Sequence, residues 1–247
     1  MSTINKILIL SLSLTIFGCS TITKLAGAGA EEINITLYDL VKADLGGTAA
    51  EKAFLEVIFK EFGMLDSKGN MVTYVKINEP AYDDFFKASA RLNALVNACK
   101  VMTTHSTKNL KKFAEQRAAR LQGKMDMKEI SDKPFDEWTE VEHAIFMKQT
   151  KSMEQLDAKQ GEFFIKTAAT LKLASMALGK GIIQAKDLLP KGQKLISEAK
   201  NLKPLMVPKA TAGVKSSLGN LKSVVDNAPK MAEGLVILAK SFTQINN

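Results

Sequence analysis

The chain has 247 residues and a formal net charge of +8 at neutral pH. Its hydrophobic content of 46% is that of a folded globular protein, which excludes disorder over most of the sequence. Two cysteines exclude a small fold held together by several disulfides. The length fits one large domain or two small ones.

An apolar run near the N-terminus, residues 7–17, has eleven residues, whereas about 20 are needed to cross a bilayer. The run follows a short start whose one side-chain cation is Lys6, and it ends at Gly18, directly before Cys19. A charged start, a short apolar middle and a small exit residue are the parts of an export signal. The sequence therefore predicts a signal peptide over residues 1–18 that is removed from the mature chain.

The end of this run, "IFGC", resembles the lipobox of bacterial lipoproteins, and the resemblance covers residues 1–19 alone. Ile16 stands at the aliphatic position, Gly18 at the small-residue position and Cys19 at the lipidated position. The resemblance implies a covalent diacylglycerol thioether on Cys19, cleavage before it and acylation of the new amino group. It implies no other cofactor. The alternative is an N-terminal helix that stays in the fold, with this cysteine in its core.

The predicted location is therefore the bacterial cell envelope, on its periplasmic side or at the cell surface. Ser20 follows the lipidated cysteine. By analogy with Gram-negative sorting, in which an aspartate at this position favours the inner membrane, the serine favours the outer membrane.

Residues 19–30 are predicted to be the lipidated cysteine and a short tether of small residues. Helical periodicity then predicts a helix over 31–45 that stops at Gly46–Gly47. Thr48 is expected to cap the next helix, with Glu51 completing a capping box.

The stretch near residues 66–80 interrupts the helical pattern, because a turn sequence precedes a run of β-branched residues. It is predicted to be a short irregular or hairpin insertion. Pro80 is expected to begin a helix, with Asn78 or Glu79 before it. That helix runs to about residue 102, and a separate basic helix over 106–125 ends near Gly123. A long helical stretch from 131 to about 178 is expected to follow.

The last third of the chain differs in charge, so we divide the mature protein into a helical domain, 31–162, and a lysine-rich helical region, 163–247, packing on it or extending from it. The second part holds 13 lysines against four acids, whereas residues 19–162 have a net charge of −2. Such asymmetry favours an acidic surface as partner, such as anionic lipid or a polyanion, and an envelope protein is the other candidate partner. A solvated lysine face without a partner is the alternative. The candidate contacts are Lys166, Lys172, Lys180, Lys186, Lys191 and Lys194.

Nucleic acid is a poor partner for this region. Residues 163–247 contain no arginine and only three aromatic residues, so both bidentate phosphate contacts and base stacking are poorly supplied.

The same third is predicted to form a basic C-terminal helical hairpin, with its first helix broken at Gly179–Gly181 and a final helix beginning at Pro229. Apolar residues recur at spacings of four and three along the second half, which is typical of a helix packed into its own bundle. Self-association and contact with a membrane are the alternatives. The stripe comprises Val214, Leu218, Leu221, Val225, Ala228, Ala232, Leu235, Ala239 and Phe242.

No enzyme class can be read from the chain. It has two histidines, His105 and His143, without metal-ligand spacing, and no nucleophile elbow, phosphate loop or dinucleotide fingerprint. Cys99 lies among apolar neighbours and is expected to be a core thiol. The fold class predicted is an all-α, multi-helix bundle.

The expected function is that of a membrane-anchored, non-enzymatic envelope lipoprotein, acting as an interaction or structural module. The alternative is a membrane-active protein whose basic amphipathic C-terminal helices bind or remodel anionic bilayers.

Overall fold

The computed structural model describes residues 31–42, 46–59, 71–131 and 139–245, and over parts of its long helices it describes the backbone alone. The signal peptide, Cys19 and the tether therefore lie outside the described residues. So do the turn that precedes the extended stretch, at 66–70, and the side chain of His143.

Five helices and two short strands make up the described part of the chain, which confirms the all-α bundle with a small extended insertion. In chain order the elements are β1 (Glu31–Thr36), α1 (Leu37–Lys42), α2 (Ala49–Val57), β2 (Met71–Lys76), α3 (Pro80–Ser131), α4 (Glu140–Glu198), a 3-10 turn (Ala199–Asn201) and α5 (Val207–Ile245).

The three long helices pack side by side, with α4 antiparallel to both of the others. The hydroxyl of Tyr82, at the start of α3, donates a hydrogen bond to the carbonyl oxygen of Leu195, at the end of α4, at 2.8 Å. Ser89 on α3 donates in the same way to the carbonyl of Ser217 on α5, at 3.0 Å. The predicted C-terminal hairpin is the α4–α5 pair, and the compositional boundary at residue 162 falls inside α4.

The apolar stripe of α5 is buried, which confirms the prediction that it packs into the bundle. Val214, Leu221, Leu235 and Phe242 are each fully inaccessible to solvent. The ring of Phe242 lies 5.6 Å from that of Phe164 on α4, centroid to centroid. Each buried side chain of this size stabilises the fold by about 1.5–3 kcal/mol, so the stripe holds the hairpin closed.

The helix predicted over 31–45 is wrong for its first six residues, which form β1. This strand pairs antiparallel with β2, with Ile33 opposite Tyr74. Ile33 and Ile35 alternate with polar neighbours and pack against the core, as a half-buried strand requires. The extended stretch near 66–80 is confirmed by β2. Its partner lies about 40 residues earlier, which local spacing could not reveal.

The start of α3 at Pro80 is confirmed. The carboxylate of Asp83 accepts a hydrogen bond from the backbone N–H of Ile77 at 2.8 Å and fixes the entry into the helix. The predicted division into two helices is wrong, because α3 continues to Ser131. Thr103 and Thr107 each bond the carbonyl four residues earlier at 2.8 Å, so these hydroxyls are satisfied within the helix.

The breaks predicted at Gly179–Gly181 and at Pro229 are also wrong, because α4 and α5 are continuous there. A Cβ atom on Gly181 would lie 3.4 Å from the side chains of Leu92 and Leu95, so this glycine lets α3 approach α4 closely. Pro229 is exposed, while its neighbour Ala228 is buried. Packing of the inner face outweighs the hydrogen bond that a proline removes from a helix.

Two glycines of α4 give a matched test of this packing. A Cβ atom on Gly192 would lie 2.6 Å from both Leu218 and Phe85, whereas one on Gly179 would meet nothing within 4 Å. We expect Gly192→Ala to lower the free energy of unfolding by about 1–3 kcal/mol, because the methyl group must displace both side chains. Gly179→Ala should raise it by about 0.5–1 kcal/mol through helix propensity. Urea denaturation measures both, and equal stabilisation by the two variants would contradict the close contact at Gly192.

Candidate functional site

The six lysines singled out by sequence are all exposed, and all lie on α4. At 100° per residue, their positions fall within about half of the helix circumference. The structure therefore places them on one side of the helix. They are Lys166, Lys172, Lys180, Lys186, Lys191 and Lys194.

The charges of these lysines are compensated at the ends of the row and not in its middle. Lys166 pairs with Glu162 at 3.1 Å and Lys194 with Glu198 at 3.5 Å, both within the helix. The four lysines between them form no ion pair within the described ranges, and they are Lys172, Lys180, Lys186 and Lys191. From residue 163 to residue 186 the sequence holds four lysines and no acid. The middle of α4 is thus a region of uncompensated positive charge.

Large apolar side chains are exposed on the same side of α4. Ile165 is 63% exposed, Met176 60% and Ile183 55%. They are spaced eleven and seven residues apart. They therefore lie at nearly the same angle around the helix axis and form a line along the helix. They alternate along the helix with the lysines of the middle of the row. A surface helix usually turns its apolar side toward the core and its polar side toward the solvent. On this side of α4, large apolar residues are instead exposed among the lysines.

The last two lysines belong to a different feature, a groove between the start of α3 and the end of α4. The groove has a volume of about 500 Å³ and is open to solvent. Phe85 and Leu195 contribute to its apolar floor, and Lys191 and the Lys194–Glu198 pair lie at its rim. The six candidate lysines therefore divide into four along the exposed helix and two beside this groove.

A buried polar network joins α2, α3 and α4, and sequence reasoning missed it. Arg91 of α3 forms an ion pair with Glu51 of α2, and both residues are 1% exposed. The second guanidinium nitrogen of Arg91 donates to the amide oxygen of Gln184 at 2.6 Å. The amide nitrogen of Gln184 in turn donates to the carbonyl of Gly46 at 2.6 Å. The network thereby attaches the N-terminal segment to the two long helices.

The capping box predicted for α2 is half correct. Thr48 is the N-cap, and its hydroxyl accepts from the N–H of Glu51 at 3.1 Å. The side chain of Glu51 does not return to the cap, because it is turned inward to Arg91. The composition of the sequence could have indicated this buried pair. Arg91 is one of three arginines in a lysine-rich chain and stands within an apolar helical pattern. A planar guanidinium suits a buried pair better than an ammonium does.

Removing Arg91 should leave the carboxylate of Glu51 buried without its partner. We expect Arg91→Ala to lower the free energy of unfolding by about 3–5 kcal/mol, as measured by urea denaturation. The matched control is Lys108→Ala, an exposed cation on the same helix, with an effect within about 0.5 kcal/mol. The double variant Glu51→Leu, Arg91→Met should recover most of the loss. If Arg91→Ala and Lys108→Ala behaved alike, the pair would not hold α2 in place.

Cys99 is a free, fully buried thiol, which confirms the core position predicted for it. Its sulfur lies 3.9 Å from the carbonyl oxygen of Ala174 on α4. Burial raises the pKa of this thiol well above its ordinary value, and the nearby charge of Glu51 raises it further. The protonated form is therefore the one that the fold stabilises.

Because the pKa of Cys99 is raised in the fold, the free energy of unfolding depends on pH above the pKa of an exposed thiol. Above about pH 9 the unfolded chain loses the thiol proton while the folded chain keeps it, so stability falls as the pH rises. We expect a loss of about 1.4 kcal/mol per pH unit beyond that point. Urea denaturation at about pH 8 and about pH 10 measures it. In Cys99→Ala, the free energy of unfolding should lack this decrease with pH. The same decrease in that variant as in the wild type would show that Cys99 is not its cause.

Within the described residues, no cluster of three or more histidine, cysteine, aspartate or glutamate side chains that could hold a metal ion occurs. The ring nitrogen Nδ1 of His105 lies 3.1 Å from the side-chain amide of Asn109, near the solvent.

Over the described ranges, none of the helices combines the length and the apolar character that crossing a bilayer requires. Comparisons with protein family models, with curated proteins and with solved structures find no match to this chain.

Proposed function

We propose that the protein is a lipid-anchored protein of the bacterial cell envelope that acts as a non-enzymatic interaction or structural module. The observation that carries this proposal is the sequence "IFGC", with Cys19 shortly before β1, the first described element of the fold, which begins at Glu31. The eleven residues between them extend at most about 40 Å. Lipidation of Cys19 would hold the bundle within that distance of a membrane.

The fold supports a role in contact with another macromolecule. Its long helices α3, α4 and α5 expose extended faces, and among the described residues the middle of the lysine row of α4 carries positive charge that forms no ion pair. Positive surface charge of this kind favours an anionic lipid or an acidic face of an envelope protein as partner. Ser20 favours the outer membrane as the location.

The alternative is a membrane-active protein. The apolar stripe of α5 does not favour it, because the stripe is packed inside the bundle and is not available to a bilayer in this fold. The exposed apolar residues of α4 do favour it. Ile165, Met176 and Ile183 of α4 are exposed beside lysines, so membrane activity would depend on α4. Binding or remodelling of a bilayer would then begin from that helix.

Substitution of the lipidated cysteine tests the anchor. In a bacterial host that processes lipoproteins, we expect the wild-type chain to incorporate labelled palmitate and to sediment with membranes. Cys19→Ala should incorporate none and leave the membrane fraction, because it lacks the thiol to which the lipid is attached. The matched control is Cys99→Ala, which changes the chain's other cysteine and should label as the wild type does. Palmitate in Cys19→Ala, or none in the wild type, would overturn the proposed anchor.

A further inference from the structure

We propose that the exposed face of α4 is a membrane-contact surface that lies on the anionic bilayer holding the lipid anchor. We call this surface the α4 face and define it by Ile165, Lys172, Met176, Lys180, Ile183 and Lys186. The inference rests on the proposed function and deepens it, because it names the partner of the anchored bundle and the side of the bundle that meets it.

The charge of the α4 face is complementary to that of an anionic leaflet. Lys172, Lys180 and Lys186 form no ion pair with any residue that the structure describes, and no acid interrupts the sequence from 163 to 186. An anionic leaflet attracts such a cluster, and each lysine near the surface strengthens binding about fivefold.

A line of apolar side chains lies on the same face. Ile165, Met176 and Ile183 are each more than half exposed and lie along one side of a continuous helix. The distance along the helix from the first to the last is about 27 Å. A planar bilayer can receive all three at once, because they lie in a row on a continuous helix. The hydrocarbon stems of the lysines beside them extend the apolar area, while the ammonium groups reach the lipid headgroups.

The outer side of α5 provides an internal comparison. It carries exposed lysines, among them Lys215, Lys222 and Lys230, but the exposed acids Asp226 and Glu233 stand among them. Acids thus stand among the lysines of α5. On the α4 face, Lys186 has the exposed Asp187 beside it, whereas Lys172 and Lys180 have no acid within six residues along the helix.

The length of the tether also bears on the partner. The tether joins Cys19 to the start of β1 and extends at most about 40 Å, whereas the α4 face is about 27 Å long. A bilayer that holds the lipid therefore stays at high effective concentration around the bundle. This tethering favours the bilayer over an acidic partner protein.

The test uses the unlipidated mature chain, residues 20–247, which contains every described residue. Its binding to phosphatidylcholine vesicles with and without phosphatidylglycerol is measured by co-sedimentation at low and high salt. We expect binding to the anionic vesicles at low salt and release at high salt. The triple variant Lys172→Gln, Lys180→Gln, Lys186→Gln should bind about a hundredfold more weakly.

Two further variants separate the α4 face from net charge. Lys215→Gln, Lys222→Gln, Lys230→Gln removes the same charge from α5 and should bind nearly as the wild type does. Ile165→Ser, Met176→Ser, Ile183→Ser keeps every charge and should also lose about tenfold in affinity, because it removes apolar contact with the acyl chains. All the substituted residues are exposed or line the outer surface, so circular dichroism and thermal unfolding should match the wild type.

Each other outcome overturns the inference. Equal weakening by the α4 and α5 lysine variants would show that net charge suffices, and full binding by the serine variant would exclude apolar contact. An absence of binding by the wild type would exclude the bilayer as the partner and leave an acidic protein as the candidate. Palmitate labelling of Cys19 is read separately, so the anchor can stand when the α4 face fails.

Discussion

The buried guanidinium of Arg91 is the constraint around which the N-terminal half of the fold is arranged. A charge removed from water must be paired and hydrogen-bonded, or the fold loses several kcal/mol. Glu51 supplies the opposite charge and Gln184 supplies a neutral acceptor. Since these groups come from three helices, the position of α2 against α3 and α4 is specified by polar contacts in addition to apolar burial. The strand β2 lies beside the same stretch of α3, where Tyr74 and Val75 line a pocket together with Phe86 and Ala90.

Close approach of the long helices depends on small residues at their contacts. Gly192 faces Phe85 of α3 and Leu218 of α5, and Gly213 of α5 faces the ring of Phe86. The rings of Phe85 and Phe86 thus pack against the backbone of a neighbouring helix at positions where that helix has a glycine. The inner side of α4 packs against α3 and α5. Its lysines and exposed apolar residues are left on the opposite side, which is why one helix serves both the core and the surface.

The features that the sequence predicted well are local. The stripe of α5, the cap at Thr48 and the helix start at Pro80 each depend on residues within one or two turns of helix. The exposure of all six candidate lysines also follows from local periodicity. Helix ends were predicted less well, because Gly179, Gly181 and Pro229 weaken a helix locally while packing against other helices maintains it.

The features that the sequence did not predict join distant residues. The pairing of β1 with β2 spans about 40 residues, and so does the ion pair of Glu51 with Arg91. Ile33 fits a helical spacing with Leu37 as well as it fits a strand, and only its partner decides between them. The division of the lysines between an exposed face and a groove likewise depends on where α3 lies.

The single buried thiol of Cys99 has a consequence for the study of motion in this molecule. It lies between α3 and α4, two helical turns beyond Arg91, and α3 must separate from α4 before a reagent can reach its sulfur. If Cys19 carries the proposed thioether on its sulfur, no other thiol of the chain competes for that reagent. The rate of alkylation in the native state then reports the opening equilibrium of this helix pair directly. The chain thus carries its own probe of whether the bundle loosens when it meets a partner.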